Sequence, residues 1–277
     1  MSGWLTHRRL IVLLCLLHAA LLLVFAFGRL VDADEGWYLS AGKQIAEGKT
    51  IYSDFFYPQM PYLPFLFSFF SGHGFTSLYL TRVAGAIAGL FSMFMMYALL
   101  QRVTSDRRII TVLFALYAVC GLNTVWHPVA KTYPWSDLFL IAGFYFIIRS
   151  GETNRTVHAA LAGIAAAMFF NIRLILLPAV ILFAGYYLVR KGPRRMMHFG
   201  TYIGAFVAGS MPSLLLYLND PQRFYFDNLG FHLMRNPTVP FPASLIERLT
   251  VIARMAYNPQ MVLLLFLAVI GIVLWLK

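Results

Sequence analysis

The stretch "RLIVLLCLLHAALLLVFAFGRLVDADE" (residues 9–35) sets two kinds of chemistry end to end. Between Arg9 and Arg29 runs an apolar segment without a single charged side chain; then come Asp32, Asp34 and Glu35, three carboxylates within four positions. About 20 apolar residues in helical form cross the hydrocarbon core of a bilayer. Residues 10–29 therefore read as a spanning helix, and the carboxylates stand where it leaves the membrane. The preceding "MSGWLTHRR" resembles the charged start of a secretory leader. However, the apolar core is long, no small-residue cleavage site follows promptly and more apolar segments come later, so the expectation is an uncleaved first helix.

Working outward, the 277 residues are 60% hydrophobic and only 12% charged, with 25 Phe. A soluble domain of that size needs far more polar surface. The expected class is an all-α polytopic membrane protein. Apolar runs predict about eight spans, at 10–29, 78–101, 109–128, 134–149, 157–171, 172–189, 199–218 and 259–276, with "FFNIR" turning a tight hairpin inside 157–189. The two cysteines, Cys15 and Cys120, lie in apolar runs and predict no disulfide.

With a cytoplasmic N-terminus, the inner segments hold 12 of the 22 Lys and Arg but only two of the 11 acids, Asp106 and Glu152. That bias is the positive-inside pattern. It accounts for nearly all of the +11 net charge, so no nucleic-acid partner is implied. The same alternation puts the first loop (30–77), the short loop 129–133 and the segment 219–258 together on the extracytoplasmic side, where one cavity can gather residues from all three.

In the first loop, "DEGWYLSAGKQIAEG" (34–48) has the apolar spacing of a short amphipathic helix, with Asp34 capping or preceding it and Gly48 stopping it. Pro58, Pro61 and Pro64 interrupt any helix between Tyr57 and Phe65, and the stretch 62–71 is too short to span, so it is expected along the interface or re-entrant. A carboxylate at a partly dry boundary suits a general base that activates a hydroxyl, or a metal ligand; helix cap and solvated rim are the plainer alternatives. Arg82, Lys131 and Arg173 are candidates to hold a phosphate, and a guanidinium does so directionally where an ammonium does not. Headgroup anchoring is the alternative for each arginine. His127 in "WHP" and His232 and Asp227 in the later loop are candidate bases or interfacial hydrogen-bonding residues, and Asp54 a structural or substrate-contacting group. No zinc-type spacing occurs, so no cofactor is called for, and a divalent cation is left open, with Asp34 its ligand if there is one. The Asn154-Arg-Thr sequon falls in an inner loop and is set aside.

Residues 32–103 resemble the amino-terminal region of the polyprenyl-phosphate-dependent GT-C glycosyltransferases, nearest the branch of protein O-mannosyltransferases and aminoarabinose transferases. The pattern is carried by Asp34–Glu35, Tyr38, Gly48, Tyr52, Asp54, Pro61, Gly74 and Arg82. Further on, "AALAGIAAAMFFNIRLILLPAVILF" is similar to a glycine- and alanine-rich span ending in an arginine, here Arg173, and "RFYFDNLGFHLMRNP" to a loop of the bacterial members. The resemblance implies transfer of a sugar from a polyprenyl-phosphate donor to an acceptor hydroxyl on the extracytoplasmic face of a bacterial inner (plasma) membrane. It implies Asp34 as the catalytic or metal-associated carboxylate, with Glu35 beside it in support.

Members of that family are longer, with eleven or more spans and often an extra extracytoplasmic domain. The expectation here is a single transmembrane domain over 1–277 that lacks the family's usual carboxy-terminal part and leaves room for a second subunit supplying the missing spans. A non-catalytic subunit, or a transporter or flippase of polyprenyl-linked lipid, stays open as an alternative.

Overall fold

The computed structural model describes residues 2–192 and 194–234, and beyond them only 249–250, 253–254, 259, 262–263 and 266. The chain divides into a unit Met1–Gly230 and a unit Phe231–Lys277. The described residues are helical with no β-sheet, only an isolated bridge between Ile51 and Phe55.

Helix α1 (Ser2–Gly28) carries the first apolar run. The chain then turns into α2 (Ala33–Ala46), whose start is a capping box. Asp32 accepts from the Asp34 amide at 3.0 Å, while Glu35 reaches back to the Asp32 amide at 2.8 Å. Two otherwise orphaned donors are thereby satisfied. The cap is Asp32 rather than Asp34: a carboxylate three positions before Glu35 has the reciprocal geometry, and Asp34 lies one residue inside the helix. Gly48, at φ +85°, sits just past the end of α2, a conformation that favours glycine. Helix α3 (Tyr62–Ser68) is seven residues long and accepts Pro64 because a proline in the first turn removes no intrahelical bond.

Helices α4 (Thr76–Val103), α5 (Arg107–Val119) with α6 (Gly121–Trp126), α7 (Tyr133–Thr153), α8 (Thr156–Ile172), α9 (Leu177–Val189), α10 (Arg195–Gly209) and α11 (Met211–Asn219) follow. Asp106 caps α5 through the Arg108 amide, and Asn154, the sequon asparagine, ends α7 in the left-handed conformation. The predicted span 199–218 is broken: α10 and α11 meet at 53°, where Pro212 can offer no amide to the preceding turn. The break between α8 and α9 falls at Arg173, as "FFNIR" suggested. The short helix α12 (Pro221–Tyr225) and a π-turn (Phe226–Gly230) complete the first unit, and α13 (Phe231–Met234) belongs to the second.

Among the described residues three helices are long and apolar enough to cross a membrane, His7–Gly28, Thr76–Val103 and Arg107–Trp126, and a fourth if the bent pair counts as one. The protein is an integral membrane protein on that evidence. The eight predicted spans are not matched one for one. The helices Thr156–Ile172 and Leu174–Val189 are apolar but short of a perpendicular crossing, and 259–276 lies largely outside the described residues.

The bundle is knit by small residues. Helix α8 packs chiefly against α7 and α10, and a methyl group at Gly163 would collide with the Tyr202 carbonyl oxygen and Ala205. Such close approach maximises dispersion contact where lipid offers no hydrophobic drive. Leu13, Leu16 and Val24 of α1 stay exposed, a lipid-facing stripe.

Polar contacts gather at two ends. One end joins His7 to Thr111, Arg102 to Glu152 and Arg190 to the Ser150 and Gly151 carbonyls. The other carries α2, α3, the 127–132 loop, Arg173 and the π-turn over a core of Tyr38, Ile51, Tyr57, Leu63 and Phe67. The candidate site lies at this second end.

Candidate active site

The most buried ion pair among the described residues is Glu35–Arg82, 0% and 1% exposed. Arg82 donates from Nε to Glu35 Oε1 at 2.8 Å and from Nη2 to Oε2 at 2.7 Å. Its remaining hydrogens go to the carbonyls of Ala26, Arg29 and Leu30. All five guanidinium donors are thus occupied within the chain. Glu35 also accepts from the Ala130 amide at 2.9 Å and the Asp32 amide at 2.8 Å. Burial works against the charge on Glu35, but Arg82 and the two amides outweigh it and hold the carboxyl below its ordinary range. The pair ties the end of α1, the start of α2, helix α4 and the 127–132 loop to one point.

Beside this lock, Asp34 turns outward with its side chain 57% exposed. Lys131, itself buried, reaches Asp34 Oδ2 at 2.8 Å and Asp32 Oδ1 at 2.6 Å. Burial opposes the charge on Lys131, and the two carboxylates overcome it, so the ammonium group binds its proton more tightly than usual. Hydrogen bonding from Lys131 correspondingly lowers the pKa of Asp32. The Trp126 ring lies beneath two cations, Arg29 at 4.2 Å and Lys131 at 5.3 Å from its centre. Among the described residues no group of three His, Cys, Asp or Glu side chains is placed to hold a metal ion. The ammonium of Lys131 already faces Asp34.

Trp126 also lines a cleft of about 400 Å³ with Asn123, Tyr133, Asp137 and Arg173. Arg173 rests on the Tyr133 ring at 4.8 Å. It forms no ion pair among the described residues, in contrast to Arg82 and Lys131. His127 is buried, 3.3 Å from Asp137 through Nε2, and Asp137 also accepts from the Tyr117 hydroxyl at 2.6 Å.

Tyr38 is buried beside this region and accepts a hydrogen bond from Gln59 at 2.7 Å. Burial is the main cause that pushes its hydroxyl up, and the charges of Asp34, Arg173 and Lys131 all act on it as well. The two cations and the outward carboxylate therefore share one electrostatic neighbourhood. Asp54 accepts from the Thr50 amide and fastens its own turn. Asp227 accepts from the Tyr57 amide at 3.0 Å, and its burial raises its proton affinity. His232 lies in α13 of the second unit, its ring 5.5 Å from that of Phe231.

Of the residues singled out from sequence, Asp34, Glu35, Arg82, Lys131, Tyr38, His127 and Arg173 come together at one end of the first unit; Asp54 serves its turn. Trp126, Tyr133, Asp137, Tyr117 and Arg29 were not singled out. The density of aromatic and polar residues in "WHPVAKTYPWSD" was the available signal for most of them.

No family model matches the sequence, and no curated protein matches it. The fold does match a solved structure, that of the Saccharomyces cerevisiae protein O-mannosyltransferase Pmt1–Pmt2 complex bound to the sugar donor, with a TM-score of 0.61 at 15% identity. The match covers 79% of this chain and 34% of the yeast chain, so the chain spans about a third of the length of the protein it matches. The likeness is one of fold.

Proposed function

We propose that the protein transfers a sugar from a polyprenyl-phosphate donor to an acceptor hydroxyl, at the membrane face that carries α2 and on the extracytoplasmic side by charge bias. The observation that carries this is the asymmetry of the carboxylates. Glu35 is consumed in a buried lock, Asp32 caps a helix, and Asp34 alone projects outward from the same turn, steadied by Lys131.

In the reaction, the acceptor oxygen attacks the anomeric carbon as the bond from that carbon to the phosphate oxygen breaks. The acceptor's proton passes to Asp34, and the polyprenyl phosphate leaves as a stabilised anion that needs no protonation. Arg173, the one of the three candidate cations without a carboxylate partner among the described residues, binds that phosphate. Glu35 and Arg82 position Asp34 through the start of α2. The yeast structure is of a two-subunit complex, which supports a partner subunit here, completing the site within the surrounding lipid.

The test is transfer by purified, reconstituted protein supplied with polyprenyl-phosphate sugars. Asp34→Asn is expected to lose about 10²–10⁴-fold in rate, the usual contribution of a positioned base, while keeping wild-type folding and membrane insertion. Full turnover by that variant removes Asp34 as the base.

A further inference from the structure

The cleft under Trp126 holds a second carboxylate with unused capacity. Asp137 Oδ2 accepts a hydrogen bond from the Tyr117 hydroxyl at 2.6 Å and lies 3.3 Å from His127 Nε2. His127 Nδ1 has no polar partner among the described residues and lies against Gly89, where a methyl group would come within 2.8 Å of it. The imidazole therefore turns its Nε2 edge to Asp137 and its Nδ1 edge to α4. The Tyr117 hydrogen bond and the His127 contact both fall on one oxygen, while Oδ1 accepts no hydrogen bond among the described residues and the side chain remains 29% exposed.

We propose that this cleft receives the monosaccharide of the lipid-linked donor and that Asp137 Oδ1 binds its hydroxyls. The subsite rests on the donor class proposed above and adds which residue reads the sugar. Each sugar hydroxyl both donates and accepts, and the lining matches that: Asp137 accepts, Arg173 donates and Asn123 does both. The cleft volume of about 400 Å³ falls in the range of small-molecule sites. It suits a single sugar whose phosphate lies on Arg173. Asp137 is here a binding residue, held in place by Tyr117 and His127, and takes no proton from the acceptor.

In Asp137→Asn, Tyr117 holds the amide carbonyl, and the NH₂ group turns into the cleft, a donor where an acceptor stood. The experiment measures binding of two probes, decaprenyl phosphate and decaprenyl-phosphoryl sugars (a panel of aldohexoses and aldopentoses), to nanodisc-reconstituted full-length protein. Asp137→Asn is expected to weaken the tightest-bound sugar lipid at least about tenfold and to leave bare decaprenyl phosphate unchanged, because one charged hydrogen bond to the sugar is lost. Tyr117→Phe, which removes one anchor and no substrate contact, should show a smaller loss with the same selectivity. Equal weakening of both lipids by Asp137→Asn, or weakening of neither, overturns the subsite. In either case the donor class survives if the wild type binds both lipids. A wild type that binds neither lipid brings down the donor class and the subsite with it.

Discussion

Replacing Glu35 by Gln changes one charge and almost no volume, so it tests the buried lock. The carboxylate accepts four hydrogen bonds: Arg82 Nε at 2.8 Å, Arg82 Nη2 at 2.7 Å, the Ala130 amide at 2.9 Å and the Asp32 amide at 2.8 Å. A carboxamide has one oxygen, which can keep two of these donors; its NH₂ group must face the other two. Each unsatisfied buried donor costs about 1–3 kcal/mol, and breaking a buried ion pair by removing one partner costs about 3–5 kcal/mol. Both routes give a loss of several kcal/mol. At about 2–4 °C per kcal/mol for a chain approaching this size, the midpoint should fall by about 6–20 °C. The assay is thermal unfolding of detergent-purified protein at one scan rate, for Glu35→Gln, Arg82→Gln and the double variant. Because each single change strands the other partner, the double variant should be less damaged than the sum of the two by about 2 kcal/mol or more. A Glu35→Gln midpoint within about 3 °C of wild type, or strict additivity in the cycle, refutes the lock.

Two further outcomes concern pH. Asp32 and Glu35 both have carboxyls held below the ordinary range, Asp32 by Lys131 and Glu35 by Arg82 and two amides against the cost of burial. A depressed folded pKa contributes stability that is complete above about pH 5, past the ordinary carboxyl range, and lost as pH falls through the folded values. The first-loop cap should therefore loosen only in strong acid, read as faster amide exchange in 33–46. Asp227 has the opposite sign: burial raises its pKa, so its contribution is complete at low pH and lost as pH rises through that value. Asp227→Asn, whose carbonyl can still accept from the Tyr57 amide, should raise the unfolding midpoint at pH 8 and lose that advantage near pH 3.

Much of the helical frame was legible because membrane helices write their length into an apolar run. The places where sequence misled are those where one residue or one distant contact overrides the run. Pro212 bends what hydropathy reads as a straight span. By contrast, the break of the 157–189 stretch at Arg173 falls where the polarity of "FFNIR" had placed it. The cap of α2 is Asp32, in the spacing Asp32-x-x-Glu35, whereas the amphipathic pattern of 34–48 had put Asp34 at the start of the helix. Glu35 and Arg82 both belonged to that pattern, but nothing in a one-dimensional sequence says that residues 47 apart consume one another's hydrogen-bonding capacity. His127 sits in a loop by sequence and is nearly buried in the fold, because Gly85 and Gly89 let its segment lie directly on α4.

These overrides explain why an acidic pair, rather than a single acid, stands at the mouth of the first helix. In the proposed reaction the carboxylate that accepts the proton must stay accessible to its substrate, and an accessible side chain at the start of a short helix is poorly fixed by itself. Glu35, next in sequence, points the other way and is held by four donors, so it fixes the backbone from which Asp34 projects. Lys131 then restrains Asp34 from the opposite loop, and that loop is pinned in turn by Glu35 through the Ala130 amide. The two acids are therefore not interchangeable. Swapping them as Asp34→Glu with Glu35→Asp keeps the total charge but shortens the anchor by one methylene. The shortened anchor cannot reach Arg82 Nε, Nη2 and the Ala130 amide together, so the pattern of acids survives while the geometry that gives each its role does not.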